Sequence, residues 1–125
     1  MLSDRRVYAT VPAADIGRAR QWYEEKLGLK PRSGEEMGLI YELGGGTGFL
    51  LYPTPNAGQA PNTLVTFSSE DVAADVAMLK RQGVTFEDYD FPGLKTVNSI
   101  AIIGGRSAAW FKDSEGNILA IGEGG

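Results

Sequence analysis

The sequence predicts an α+β fold of two tandem βαβββ modules, in which one main helix backs a curved, open, barrel-like mixed sheet in each half. Two observations lead to this prediction. A strand-like stretch followed by an amphipathic helix occurs twice within the 125 residues. Each of these helices is then followed by apolar stretches joined through glycine-containing turns, which is typical of strands in hairpins.

The first module is expected to span about residues 5–54. Its opening stretch, RVYATV, alternates in the way that a half-buried strand does. Asp15 is a suitable N-cap and Gly28 a suitable C-terminal stop, so we predict a helix over about residues 15–27. The stretches LKPR, GLIYEL and GFLLYP then supply three strands, and the loop GGGTG joins the last two.

The second module is expected to span about residues 62–123, after a linker at about 55–61 that is rich in Pro, Asn and Gly. NTLVTF predicts a strand, Asp71 caps a helix as Asp15 does, and Gly83 ends that helix. Three further strands are predicted at VTFEDYD, AAWFKD and NILAIGE, with an extra turn and hairpin arm in FPGLKTVNSIAIIGGR. We therefore expect residues 1–125 to form one domain.

Composition excludes two classes of partner. The formal net charge is −4 and the pI about 4.8, and no more than two Lys or Arg residues are adjacent, so we expect no nucleic-acid binding. The apolar runs are too short to span a bilayer, and the N-terminus MLSDRRVYAT lacks the apolar core of a signal peptide. We therefore expect a cytoplasmic protein that does not bind membranes.

The sequence contains neither cysteine nor histidine. Disulfides, thiolate nucleophiles and Ser-His or Cys-His pairs are therefore excluded. The commonest transition-metal ligand is also missing, so any metal would have to be a hard cation held by carboxylates and carbonyl oxygens.

Two motifs carry a resemblance to a known family. VPAADIGRARQWYEEKLGL resembles the strand, capped helix and "LG" stop that open the vicinal oxygen chelate superfamily, the glyoxalase and bleomycin-resistance fold. WFKDSEGNILAI resembles that family's closing hairpin. The resemblance covers essentially the whole chain and implies the duplicated fold predicted above. It leaves function open, because the family includes lyases, epimerases, dioxygenases, antibiotic-modifying enzymes and drug-binding proteins.

The resemblance also implies where a metal would be held. Carried over residue by residue, the family's four ligand positions are Tyr8, Leu51, Leu64 and Ala120. A one-residue slip at Leu51 would bring in Leu50 or Tyr52, and neither is an ordinary ligand for a divalent ion. We therefore expect no metal and no cofactor.

Strand alternation predicts an aromatic-lined cavity in place of the metal site. The residues expected to line it and bind a ligand are Tyr8, Thr10, Tyr41, Phe49, Leu51, Leu64, Thr66, Trp110, Lys112 and Ala120. The alternative is that inward-facing aromatic residues such as Trp110 and Tyr41 fill the space as a packed core.

Three functions remain open at this point. We favour a metal-independent small-molecule-binding protein, which holds an apolar or aromatic ligand, cationic ligands included, and has no catalytic residues. The alternative is a lyase or isomerase like glyoxalase I, relying on non-standard groups such as Tyr8, Lys112 or Arg6. A third reading is a structural or regulatory dimer with a vestigial cavity. The resemblance implies a homodimer in each case.

Overall fold

The computed structural model describes residues 1–35 and 38–124. The first module contains β1 (Ala9–Ala13), α1 (Ile16–Leu27), β2 (Ser33–Glu35), β3 (Gly38–Glu42) and β4 (Gly48–Pro53). The second contains β5 (Thr63–Ser69), α2 (Val72–Arg81), β6 (Asp90–Phe91), β7 (Leu94–Lys95), β8 (Ala101–Ile103), β9 (Arg106–Lys112) and β10 (Ile118–Glu123). Within the two described ranges, neither α1 nor α2 has the length and hydropathy that a bilayer-spanning helix requires.

The two modules have the same sheet topology. Their strand orders are β1-β4-β3-β2 and β5-β10-β9-β8, and the first pair in each sheet is parallel while the others are antiparallel. The short strands β6 and β7 form a separate hairpin. The predicted α+β fold with two repeated units and open mixed sheets is therefore confirmed.

Both helices begin at the predicted caps. The side chain of Asp15 accepts a hydrogen bond from the backbone N–H of Arg18 at 3.0 Å, and Asp71 does the same for Ala74 at 3.0 Å. These bonds satisfy backbone donors that the first turn of a helix leaves unpaired. Gly28 ends α1 with φ of 69°, a left-handed conformation that glycine adopts without steric cost.

Two predicted strands are wrong. LKPR precedes β2 and lies outside any strand. VTFEDYD forms no continuous strand: it contributes a bridge between Phe86 and Phe111, and its last residue, Asp90, begins the short strand β6. The backbone N–H of Glu87 donates to the carbonyl of Trp110, and the residues that follow Glu87 no longer run beside β9. The edge position is taken by β8, which a tight turn through two glycines brings alongside β9.

One buried apolar cluster runs through both modules on the helix side of the sheets. In module one, the rings of Tyr23, Tyr41 and Phe49 pack together with centroids 4.7–5.8 Å apart. Helix α1 also reaches module two, because Trp22 stacks on Phe111 at 6.3 Å. The helix of the first module thus contributes to the core of the second.

The turn at residues 113–117, between β9 and β10, fastens the modules together, and we call it the docking turn. Asp113 accepts hydrogen bonds from the hydroxyl of Tyr23 at 2.6 Å and from the amide of Asn117 at 2.9 Å. The same amide nitrogen of Asn117 donates to the carbonyl of Pro12 at 2.8 Å. These groups are buried, so their polar atoms are satisfied across the module boundary instead of by water.

Glu115 makes the second set of contacts from the docking turn. Its side chain is fully buried, and its carboxylate accepts from the backbone N–H of Asp15 at 2.8 Å and from two nitrogens of Arg18 at 2.8 and 3.0 Å. Burial by itself would raise the pKa of Glu115, but hydrogen bonds from Arg18, Asp15 and Ser114 outweigh it and lower the pKa to about 2.

The depressed pKa predicts an acid-sensitive fold. Because the folded state favours the ionised Glu115, its stabilising contribution is complete above pH 4.5 and is lost as the pH falls toward 2. The shift corresponds to at most about 3 kcal/mol in the free energy of unfolding. Urea titrations across this range should show that Glu115→Gln flattens the pH dependence, whereas the exposed control Glu70→Gln does not. Parallel curves for wild type and Glu115→Gln would contradict the assignment.

Two buried tyrosines provide a matched pair for testing the docking turn. Tyr23 donates to Asp113, whereas the equally buried hydroxyl of Tyr41 has no hydrogen-bond partner among residues 1–35 and 38–124. We expect Tyr23→Phe to lower the free energy of unfolding by roughly 1.5–3 kcal/mol, the range for hydrogen bonds to charged groups. We expect Tyr41→Phe to be neutral or slightly stabilising, because it removes an unsatisfied polar atom. Equal effects in denaturant titrations would disprove this account.

Candidate functional site

Each main sheet has one face against the helices and one face that the helices leave uncovered, which we call the open face. In module two, Thr66 lies opposite Ala120, and Ala120 lies opposite Trp110. Their strand neighbours Phe111 and Ile121 are buried in the apolar cluster on the helix side. Since successive side chains point to opposite faces, Thr66, Ala120 and Trp110 share the open face.

The open face of module two contains four of the five residues that the sequence assigned to it, namely Thr66, Trp110, Lys112 and Ala120. The fifth, Leu64, lies where the register between β5 and β10 shifts, so the ladder does not assign its face. Trp110 is half-buried, Thr66 and Lys112 are exposed, and Ala120 is buried. The structure thus brings an indole ring, a methyl group and two polar side chains together, and their role in binding a ligand stays a prediction.

Two further side chains, Tyr89 and Glu87, border this face, and neither was among the residues predicted to line the cavity. Tyr89 contacts Trp110 edge-on, with ring centroids 5.5 Å apart at an angle of 67°. Glu87 forms an ion pair with Lys112 at 3.3 Å. Burial raises the pKa of Tyr89, and the nearby charge of Glu87 raises it further, so this phenol stays protonated at neutral pH. Both residues belong to VTFEDYD, which the sequence predicts as a strand. A strand there gives no indication that Tyr89 and Glu87 lie beside Trp110.

The face predicted for Tyr41, Phe49 and Leu51 is wrong. All three are buried on the helix side, with exposed fractions of 1%, 2% and 0%. Leu51 lies opposite Val11, which packs beneath α1, and Tyr41 stacks on Phe49 at 4.7 Å. The strands GLIYEL and GFLLYP carry apolar residues on both faces, so alternation alone gave no contrast by which to assign them.

The open face of module one is made by different residues from β3 and β4. Thr10 and Thr66 each lie five residues before a helix-capping Asp, and both are exposed. Following the ladders across each sheet from these two threonines gives the equivalent positions. Leu50 corresponds to Ala120, and Ile40, not Tyr41, corresponds to Trp110. The open face of module one therefore contains Tyr8, Thr10, Ile40, Glu42, Leu50 and Tyr52.

Charge on this face is concentrated at Glu42. One carboxylate oxygen of Glu42 contacts Arg6 at 3.3 Å and Arg32 at 3.2 Å. Both arginine side chains are more than half exposed, so these ion pairs contribute little to stability. The open face of module one thus ends in a cluster with one more positive than negative charge.

The side chains at the four positions where the family resemblance implies metal ligands do not suit a divalent ion. These positions hold Tyr8, Leu64 and Ala120, with Leu50 or Tyr52 of the open face in place of Leu51, which lies on the helix side. The set offers hydrocarbon and phenol groups, where carboxylates or imidazoles would be required. Over the described ranges, no cluster of three or more carboxylates has a geometry that could hold a metal.

An opening of about 540 Å³ lies between the modules, at the edge of β5. It brings Thr66 of the open face together with residues that the sequence analysis did not select. Its lining consists of Leu43, Gly44, Thr47, Gly48, Phe49, Val65, Thr66, Phe67 and Ser68. The opening has the size of a small-molecule site and combines apolar walls with a few hydroxyl groups.

Comparison with solved structures shows the same fold in proteins of low sequence identity. A glyoxalase/bleomycin resistance protein from Catenulispora acidiphila DSM 44928 is 24% identical, with a TM-score of 0.67 over 96% of this chain and 98% of that one. TnmS3, an antibiotic binding protein from Streptomyces sp. CB03234, is 20% identical, with a TM-score of 0.64 over 97% and 96%. A bleomycin-binding protein complexed with bleomycin is 16% identical, with a TM-score of 0.74 over 97% and 99%.

Comparison by sequence gives the family. No curated protein sequence matches the chain significantly. The sequence model of one family matches residues 5–121, which include the docking turn and both modules except the last two residues of β10. The chain belongs to the Glyoxalase/Bleomycin resistance protein/Dioxygenase superfamily.

Proposed function

We propose that this chain binds a small molecule without a metal, and that an aromatic or apolar part of the ligand packs against Trp110 on the open face of module two. The observation that carries the proposal is the position of this indole. It is half-buried, it contacts the ring of Tyr89, it pairs with Ala120 across the ladder, and it lies on the sheet face opposite to the one that packs against the helices.

The surroundings of Trp110 suit a flat ligand. Ala120 lies directly opposite Trp110 across the ladder, and Gly122 follows two residues later on the same face, so this part of the sheet has almost no side-chain bulk. A ligand ring placed there would gain roughly 0.5–1.5 kcal/mol per aromatic pair beyond the burial of area. Thr66 and the Glu87–Lys112 ion pair supply polar groups that could orient it.

Two further observations support binding over metal chemistry. The family resemblance implies metal ligands at positions that hold Tyr8, Leu64 and Ala120, and these side chains do not suit a divalent cation. Proteins with the same fold include one described as antibiotic binding and another complexed with bleomycin. Their identities establish the fold alone, so they indicate which ligands to try first.

We also propose that the chain acts as a homodimer, as the family resemblance implies. Ile102, Ile103 and Phe91 are large apolar side chains with exposed fractions of 71%, 47% and 53%. Ile102 and Ile103 belong to β8, the edge strand of its sheet, where unpaired backbone groups favour association.

Light scattering tests the homodimer and should give twice the mass of the chain. A monomer at every protein concentration would contradict this part of the proposal.

Tryptophan fluorescence offers a direct test of the site, because the chain contains two tryptophans. Trp22 is partly buried in the core, so Trp22→Phe leaves Trp110 as a single reporter. We expect bleomycin, used as the first probe, to change the emission of Trp110 in this variant. We expect Trp110→Ala to weaken binding about tenfold or more by calorimetry, since a buried aromatic anchor typically contributes this much.

The controls separate a lost contact from a lost fold. Trp110→Phe keeps a ring and should retain more affinity than Trp110→Ala, while both variants keep the wild-type thermal transition. If bleomycin and a panel of aromatic and cationic antibiotics all fail to bind, or bind Trp110→Ala as tightly as wild type, the proposal is wrong.

Metal content tests the second half of the proposal. We expect protein purified without chelators to contain far less than one divalent ion per chain by mass spectrometry, because the open faces offer too few donor atoms. Dialysis against EDTA should leave ligand affinity and thermal stability unchanged. Stoichiometric nickel, zinc or iron, with binding lost on chelation, would overturn the claim of metal independence.

A further inference from the structure

A second cavity lies on the opposite side of the sheet in module two. It has a volume of about 200 Å³ and is bounded by α2, by the helix-side face of β9 and β10, and by apolar residues of module one. Its buried floor is formed by Leu79, Phe111 and Ile121, whose exposed fractions are 7%, 0% and 3%. Leu29 and Leu43 of module one contribute to the wall.

The sheet itself separates this cavity from the open face. Phe111 and Ile121 line the cavity, while their strand neighbours Trp110 and Ala120 point to the other side. A molecule in the cavity therefore cannot touch Trp110 through the closely packed sheet. The cavity shares Leu43 and Phe67 with the 540 Å³ opening between the modules, but Trp110 does not line it, so its existence does not depend on the function proposed above.

One carboxylate stands in the otherwise apolar lining. Asp75 lies in the first turn of α2, and its Oδ2 accepts a hydrogen bond from the hydroxyl of Ser69 at 2.5 Å. It takes part in none of the ion pairs found within residues 1–35 and 38–124. A half-buried carboxylate without a cationic partner, at the border of a hydrocarbon surface, is electrostatically suited to a ligand ammonium group.

We propose that this cavity binds a compact hydrophobic amine. The hydrocarbon part, one aromatic ring or a short branched alkyl group, would lie against Phe67, Phe111 and Ile121, and the ammonium group would donate to Asp75. The size is appropriate, because a closed apolar cavity of about 150 Å³ is already large enough for benzene. The charge of Asp75 selects a cation over a neutral or anionic molecule of the same shape.

Benzylamine and benzyl alcohol test the proposal, since they share a ring and differ in charge. We expect calorimetry at neutral pH to show that benzylamine binds more tightly by up to about fivefold, the upper end of the range for partly exposed ion pairs. Asp75→Asn should remove this preference and keep the binding of benzyl alcohol, because the amide oxygen can still accept from Ser69. Glu70→Gln is the matched control: it removes the same charge from an exposed neighbouring position and should leave the preference unchanged.

A second variant tests the location. Met78 lines the cavity and is 42% exposed, so we expect the fold to tolerate Met78→Trp and the larger side chain to fill the mouth. We expect it to weaken both probes at least tenfold, while the thermal transition stays close to that of wild type. The proposal is overturned if neither probe binds wild type, if Asp75→Asn keeps the preference for the amine, or if Met78→Trp binds both probes normally. Any of these outcomes leaves the binding of ligands at Trp110 unaffected, so the two proposals can fail separately.

Discussion

The arrangement of the two modules depends on the docking turn, whose two carboxylates are buried. Asp113 and Glu115 belong to module two, yet their partners are the hydroxyl of Tyr23, the side chain of Arg18 and the N-terminal backbone of α1 in module one. Burying carboxylates without partners would be costly, so these contacts have to form together with the fold. The turn therefore fixes where α1 lies relative to β9 and β10, and with it the shape of the cavity on the helix side.

The family-like motif at the end of the chain thus acquires a structural meaning. A sequence such as DSEGN needs Asp113 to bind the turn's own backbone, Gly116 to adopt φ of 86°, and Asn117 to bridge to Pro12. None of these tasks involves a ligand. The motif specifies how the two modules meet, and it leaves the chemistry of the open faces free to differ between proteins of this fold.

The fold could be predicted from the sequence because its signals were local and repeated. The two capping aspartates fixed both helix starts, and the alternation in β5, β9 and β10 agrees with the ladder register at Thr66, Trp110, Lys112 and Ala120. The assignment failed where the pattern lost contrast. Because β3 and β4 carry apolar residues on both faces, only the ladder register shows that Leu50 lies on the open face and Leu51 on the helix side. The ion pair of Glu87 and the contact of Tyr89 with Trp110 are tertiary features that no spacing in the sequence encodes.

Duplication has given the chain two sheets of the same topology with different surfaces. Module one presents Tyr8, Ile40 and a carboxylate bound by two arginines, whereas module two presents an indole beside small residues. The central claim is that the indole surface receives a ligand without help from a metal. A crystal structure of the protein soaked with bleomycin tests this most directly. The account predicts ligand density against Trp110 on the side of the sheet away from α2, with no cation in its coordination shell. Density confined to another surface, or an ion coordinated by this polypeptide at the centre of an open face, would contradict it.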